Sequence, residues 1–426
     1  MNDHYRYFLS LSSQFPFCGI PLRLDTYSRC QFACRYCFAS ARGGAGGQSA
    51  IRVADPKRLA RRLIMLASGR ECRSALDELL AARVPIHFGG MSDPFMPMEG
   101  ERRVTLELLK ILADHRYPTI LSTKGLLVAS PEYLSLLAAP NFAVQISVTT
   151  LDDCLAQRID AGAPSTSARL DALTRLSEAG VKTAIRHQPM VPTRTHEASE
   201  LIDRCSVAGA MHYAVEHLKL PVEQDWQHRR SLSEASGFDL GTYYREHGAM
   251  RVGREWILPS AERLEAVLQL KHVANSRGLS FGAADNDLLH LSDGAVCCSG
   301  ADLLGLGQGL QFNFLSAVRS GFTGGDITFE RLREAWRPSR PISEYVNSRS
   351  RQRNESFDSF IAARWNGVAN GPSPASFFGV VETGQKDAFG MKVYRLSDAV
   401  RGLAAGTTSA TPLLRGGFKE AATSTV

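Results

Sequence analysis

The 426-residue sequence predicts an α/β fold, a partial or full parallel β/α barrel with a C-terminal extension. Two observations predict it. From about residue 85 onward, short apolar runs alternate with stretches whose apolar residues recur at helical spacing. Strands that alternate with helices pair in parallel through crossovers. Polar residues then gather where the apolar runs end: Ser92-Asp93, Lys124, Ser147, Arg186 and His217. In β/α barrels the rim formed by the carboxyl ends of the strands is where chemistry is done.

The elements follow in order. A first strand is expected over 22–27 and the next over 85–88, ended by Gly89-Gly90. A helix should then place Val104, Leu108, Ile111 and Leu112 on one face. Strands are expected at 118–122 and 142–148. Ser165 or Ser167 can cap a helix carrying Leu170, Leu173 and Leu176, and Gly180 can stop it. Strands return at 181–186, 212–218 and 279–282, the last after a helix holding Leu264, Val267, Leu268 and Val273. The core is expected to span 21–300, with 1–20 a lead-in and 301–426 an extension. Glycine-rich residues 43–47 are expected to form a flexible loop. The Thr/Ser/Ala-rich end, roughly the last 20 residues, is expected to be disordered.

Apolar residues make up 44% and charged residues 22%, the balance of a soluble globular protein. A formal charge of +6 permits a polyanionic partner without requiring one. No apolar run is long enough to span a bilayer. Residues 1–16 do not read as a signal peptide, so a cytoplasmic location is expected. Nine cysteines, an odd number in a long chain, argue against a disulfide framework and leave thiols for metal or catalysis.

Three of those thiols, Cys30, Cys34 and Cys37, fall within eight residues just after the first strand. One loop can wrap them around one centre. Soft thiolates favour iron–sulfur clusters or zinc. A structural zinc site wants four ligands, usually in CxxC pairs, and no fourth Cys or His lies close by. Three ligands would leave one iron of a [4Fe-4S] cluster open to the amino and carboxylate groups of S-adenosylmethionine (SAM). The reduced cluster could then pass an electron to the sulfonium and release a 5′-deoxyadenosyl radical.

The spacing Cys30-x3-Cys34-x2-Cys37, with the aromatic Tyr36 before the last cysteine, resembles the radical SAM signature. Further stretches resemble the spore photoproduct lyase-like, or DNA repair photolyase-like, branch. These are Gly90-Met91-Ser92-Asp93-Pro94-Phe95, Thr123-Lys124-Gly125, the run from Ile146 to Asp152, Gly162-Ala163-Pro164-Ser165 with Arg169-Leu170, and Arg186-His187-Gln188-Pro189. Together they cover residues 20–220, about half the chain. The resemblance implies a radical SAM barrel, with SAM and a [4Fe-4S] cluster as cofactors and an external electron donor such as flavodoxin or ferredoxin. It implies that backbone at Tyr36 contacts the adenine and that Ser92 bonds the methionyl end. Lys124 would pair with the SAM carboxylate, Ser147 would contact ribose or methionyl, and Arg186 would lie among the cofactor contacts. The bland readings are a solvated loop lysine and turn serines. Asp93 reads as a helix N-cap or as a residue with a catalytic role. The lyase's donor thiol has no counterpart here, because Met91 stands in that stretch and carries no S–H bond.

Cys297 and Cys298 follow the seventh strand and, on the barrel reading, lie near the catalytic rim. They are candidate hydrogen-donating or redox thiols, or else buried apolar cysteines. Arg331, Arg333, Arg337, Arg340, Arg349, Arg351 and Arg353, interleaved with Trp336 and Tyr345, suit phosphates and bases or a solvated helical face. Three functions compete: a radical SAM enzyme acting on nucleic acid or a nucleotide-like substrate, one acting on a peptide or small metabolite, and a non-catalytic zinc-binding protein.

Overall fold

In the computed structural model, residues 4–41, 50–222, 226–342, 355–367 and 372–404 are described. β1 (Leu9–Leu11) pairs antiparallel with β2 (Leu22–Leu24). β3 (Ile86–Phe88), β4 (Thr119–Thr123), β5 (Phe142–Ser147), β6 (Lys182–Met190) and β7 (His212–His217) then follow β2, each parallel to the one before. β8 (Leu220–Pro221), β9 (Met250–Val252) and β10 (Glu255–Ile257) form a small antiparallel sheet inserted before β11 (Ser280–Ala283), which pairs parallel with β7. β12 (Val380–Lys386) and β13 (Lys392–Leu396) form a separate hairpin. The main sheet runs β1-β2-β3-β4-β5-β6-β7-β11, and among the described residues no ladder joins its two edges. The barrel is therefore partial. The seven strands expected from sequence are all present, each within a few residues of its expected bounds.

Side chains alternate across a strand, and here the two faces differ in chemistry. Phe88, Leu121, Val144, Ile146, Ile185, Tyr213 and Phe281 point outward into the main core. There they meet Leu108 and Leu109 of the helix Val104–Asp114, Leu173 and Leu176 of Thr166–Glu178, and Leu264 and Val267 of Ser260–Ser276. The Ser165 hydroxyl caps the second of these helices by accepting the Ala168 N–H at 3.2 Å.

The inward face carries small or polar residues. Ile120, Ala143 and Ala184, near the starts of their strands, pack against Val296, Cys297, Ala301, Leu304 and Leu306. The stretch after β11 thus folds back and fills the barrel from the amino-terminal side. Glycine makes this fit: a Cβ on Gly282 would sit 1.9 Å from the Cys298 carbonyl oxygen. Beyond it, the extension builds its own core around Trp365, which packs edge-on to Phe314 and Phe329 and donates Nε1–H to the Lys392 carbonyl at 2.7 Å. The glycine-rich loop 43–47 and the last residues, 405–426, lie outside the described residues.

Candidate active site

Cys30, Cys34 and Cys37 lie on the loop that leaves β2 and enters the short helix Phe38–Ala41. The loop is fastened to the segment after β5. Arg35 N–H donates to the Ile159 carbonyl and Gly162 N–H to the Phe32 carbonyl, both at 2.8 Å, and the Cys34 thiol reaches the Asp160 carbonyl at 3.9 Å. Beneath the loop lies a buried polar clamp. The Tyr36 hydroxyl donates to Asp160 and stands 3.0 Å from the Thr149 hydroxyl. Arg169 closes on Asp160 at 2.7 Å, with both side chains essentially inaccessible, and also donates to the Ser147 and Pro164 carbonyls at 2.9 Å each. Burial works to raise the Asp160 pKa, but Lys124 and Arg169 hold it below the usual carboxylate range.

Burial pushes the Cys30 thiol up to about 11 and the Cys34 thiol up to about 12, and each of the two feels the charge of Cys37. Only a strongly thiophilic cation displaces protons from such thiols. Among the described residues, no three Cys, His, Asp or Glu side chains converge on a single ion. A four-iron cubane needs no such convergence, because each thiolate binds its own iron. The donor set and its placement fit a cluster.

Around this loop the expected contact residues stand in different states. Lys124 bears on the site: its Nζ lies 5.5 Å from the Tyr36 ring centroid, and its charge acts on Cys34 and Asp160. Ser92 is buried and its hydroxyl already donates to the Tyr27 carbonyl at 2.6 Å, so only its lone pairs remain for a ligand. Ser147 ends β5 and is buried. Asp93 is no helix cap. It brackets two strand ends by accepting from Phe95 N–H at 2.9 Å, Thr123 hydroxyl at 2.6 Å and Lys124 N–H at 2.6 Å. Arg186 stands level with Ser147, the last residue of β5, although β6 itself continues to Met190. It points inward, where Nη1 donates to Ser122 at 3.2 Å and to His87 at 3.3 Å. Burial, with the Arg186 charge beside it, pushes His87 down to about 3, so the imidazole is neutral and accepts.

Residues 24–205 match the Radical SAM superfamily model. Uncharacterized protein Rv2578c of Mycobacterium tuberculosis is 25% identical over 199 residues, 45% of this chain and 57% of that protein. Uncharacterized protein MJ0683 of Methanocaldococcus jannaschii is 22% identical over 233 residues, 52% of this chain and 80% of that protein. The chain spans little more than half the length of the mycobacterial relative. Among solved structures, a spore photoproduct lyase complexed with dinucleoside spore photoproduct superposes with a TM-score of 0.46 at 16% identity, over 64% of this chain and 76% of that one. Residues 24–205 are a radical SAM domain.

Within the radical SAM domain, sequence reasoning missed Asp160 and read Thr149 and Arg169, which complete the clamp, only as parts of motifs. Neither Asp160 nor Arg169 stands out locally, since Arg158 and Asp171 lie beside them in the sequence. Sequence reasoning also misplaced Cys297 and Cys298. They do not stand at the rim: the pair lies on the inward face near the strand starts, below the layer of His87, Ser122 and Arg186. The cause is the fold-back after β11, which reverses the chain into the barrel instead of continuing outward. Among the extension's arginines, Arg333 and Arg337 both bind Asp358, Arg337 also covers the Phe312 ring at 4.8 Å, and Arg340 binds Glu71. Their guanidinium groups hold the extension together and tie it to the core. Arg349, Arg351, Arg353 and Tyr345 lie outside the described residues.

Proposed function

We propose that this chain is an enzyme that holds a [4Fe-4S] cluster on Cys30, Cys34 and Cys37, cleaves SAM reductively and abstracts a hydrogen atom from its substrate. The observation that carries this reading is the clamp of Tyr36, Thr149, Asp160 and Arg169, which fixes a three-thiol loop over the end of β5 inside a radical SAM domain. When bound, the cluster and SAM together supply a 5′-deoxyadenosyl radical. The chain's own residues position and exclude. Tyr36 presents its backbone beside the cysteines, and Lys124 offers a cation for the SAM carboxylate. Ser92 and Ser147 offer acceptor oxygens, and Arg186 sets the polarity of the inward face below. An electron donor of the flavodoxin or ferredoxin type would feed the cluster. The candidate hydrogen-donating thiols, Cys297 and Cys298, would meet a substrate radical from the floor of the barrel.

For the substrate, the motifs of residues 90–95 and 146–152 favour nucleic acid or a nucleotide-like molecule. A peptide or small metabolite is the second reading. It is favoured by the consumption of Arg333, Arg337 and Arg340 in internal ion pairs, which removes them from a phosphate-binding surface.

Anaerobic reconstitution with iron and sulfide tests the assignment. Wild type should bind cluster iron, show an electron-paramagnetic signal on reduction and form 5′-deoxyadenosine. Each single Cys→Ala change at Cys30, Cys34 or Cys37 should remove all three, since such a site has no spare ligand. Full iron and full SAM cleavage in any one variant would overturn it. Deuterium transfer from candidate substrates into 5′-deoxyadenosine then separates nucleic acid from peptide.

A further inference from the structure

We propose that Cys18 and Cys297 form a dithiol–disulfide couple on the inward face of the barrel, a redox site separate from the cysteine loop. It does not depend on the radical SAM reading.

The two residues are 279 apart in sequence, yet their Sγ atoms lie 3.4 Å apart. Cys298 stands on the other side, with its Sγ 3.9 Å from that of Cys297. The backbone is built for this approach. Gly19 N–H donates to the Val296 carbonyl at 2.9 Å, and Leu310 N–H donates to the Gly19 carbonyl at 2.7 Å, so the segment after Cys18 is laid between 296 and 310. A Cβ on Gly19 would fall 2.7 Å from Val296 Cγ1 and 2.8 Å from the Val296 carbonyl oxygen. From the sheet side, His212 Nε2 lies 2.8 Å from the Cys298 carbonyl. A carbonyl only accepts, so that nitrogen carries the proton. Both thiols are thus held by main-chain contacts on separate segments.

Chemistry selects the partner. A bond between Cys297 and Cys298 would close a small ring across a single peptide unit, which a planar trans peptide resists. Cys18 approaches through space and meets no such restraint. The Cys18 thiol donates toward the Cys297 sulfur and the Cys298 thiol stands beside it, which favours the Cys297 thiolate against the cost of burial. The thiolate is the attacking species in exchange. The titratable groups acting on the three sulfurs are Arg186, His87 and His212. Cys18 and Cys298 are partly buried and Cys297 is buried, so a small reagent meets Cys18 before Cys297.

With a low-molecular-weight disulfide as oxidant, the Cys18 sulfur attacks one of its sulfurs, gives up its proton and expels the other as a thiol. The Cys297 thiolate then attacks the Cys18 sulfur and displaces the second small thiol as its thiolate. Two protein thiols are oxidised to one disulfide, and one small disulfide is reduced to two thiols.

The test uses the full-length protein equilibrated anaerobically over a range of reduced to oxidised dithiothreitol. Free thiols are then alkylated, the protein is digested without reduction, and linked peptides are assigned by fragment ions. A Cys18–Cys297 link should accumulate toward the oxidised end and disappear on return to reductant, with Cys298 alkylated throughout. C298A should retain the link, and C18A should lose it completely while Cys297 becomes alkylatable. The proposal is overturned if wild-type protein that keeps its native circular dichroism shows Cys18 and Cys297 both alkylated at every ratio. It is equally overturned if the link that forms runs through Cys298.

Discussion

Replacing Asp160 with alanine asks whether the clamp under the cysteine loop is as consequential as its burial implies. The carboxylate accepts from Arg169 at 2.7 Å, lies 3.3 Å from the Thr149 hydroxyl through each oxygen, and accepts a hydrogen bond from the Tyr36 hydroxyl. Its removal leaves the Arg169 guanidinium, 1% exposed, without a counter-charge. Breaking a buried pair from one side costs about 3–5 kcal/mol. At about 1.4 kcal/mol per factor of ten, the folded-to-unfolded ratio falls by roughly two to three and a half orders of magnitude. Tyr36→Phe removes one hydrogen bond to a charged acceptor and should cost less, about 1.5–3 kcal/mol. Urea denaturation of the reconstituted protein reads both, and retained iron per chain reads the loop directly. The double variant Asp160→Ala, Arg169→Met should recover part of the loss, since no orphan charge remains. A loss below about 1 kcal/mol in Asp160→Ala, or a double variant less stable than either single one, would refute the argument.

Four further outcomes are expected. Lys124→Ala should weaken SAM binding by roughly tenfold to a hundredfold while leaving iron content unchanged, because a charge-assisted bond contributes about 1.5–3 kcal/mol; titration of reconstituted protein with SAM measures it. Gly282→Ala should destabilise the fold by about 1–3 kcal/mol through overpacking against the Cys298 carbonyl. Gly100→Ala, in the helix Met98–Arg102 with nothing within 4 Å, should be neutral or stabilising in the same melt. Asp285 is driven upward by burial, but His217 and Arg263 hold it well below the usual carboxylate range. A depressed carboxylate contributes stability above its unfolded pKa of about 3.9 and loses it as pH falls through the lower folded value. The stability gap between wild type and Asp285→Asn should therefore persist from about pH 5 down to about pH 4 and close only below that.

The strands were legible because their apolar runs are short, bounded and spaced by helical stretches, and the cysteine loop because its three ligands are local. What escaped reading was set by tertiary contact. Tyr36 and Asp160 are 124 residues apart, and nothing near either residue names the other. Arg186 does lie level with the end of β5, where the apolar run stops, but its strand is longer than that run suggests. In the fold, β6 carries on through polar residues to Met190, held by its ladder to β7. Cys18, a single cysteine with no neighbour in the sequence, gave no sign of meeting Cys297. Asp93 looked like a cap because a helix follows it, but its carboxylate faces the end of β4 instead.

The filling of the barrel from its amino-terminal side governs the order in which the molecule can be completed. β2 to β7 are all synthesised by residue 217, yet Ile120, Ala143 and Ala184 have only Ile20 and Cys18 as early cover until Val296 to Leu306 have been made and turned back inward. A ribosome-bound chain therefore passes through a stage with a formed sheet and a largely bare, water-facing hollow. Such a surface invites association with other chains or with chaperones. A fragment cut to the 24–205 segment should inherit that exposure permanently and be soluble only with help.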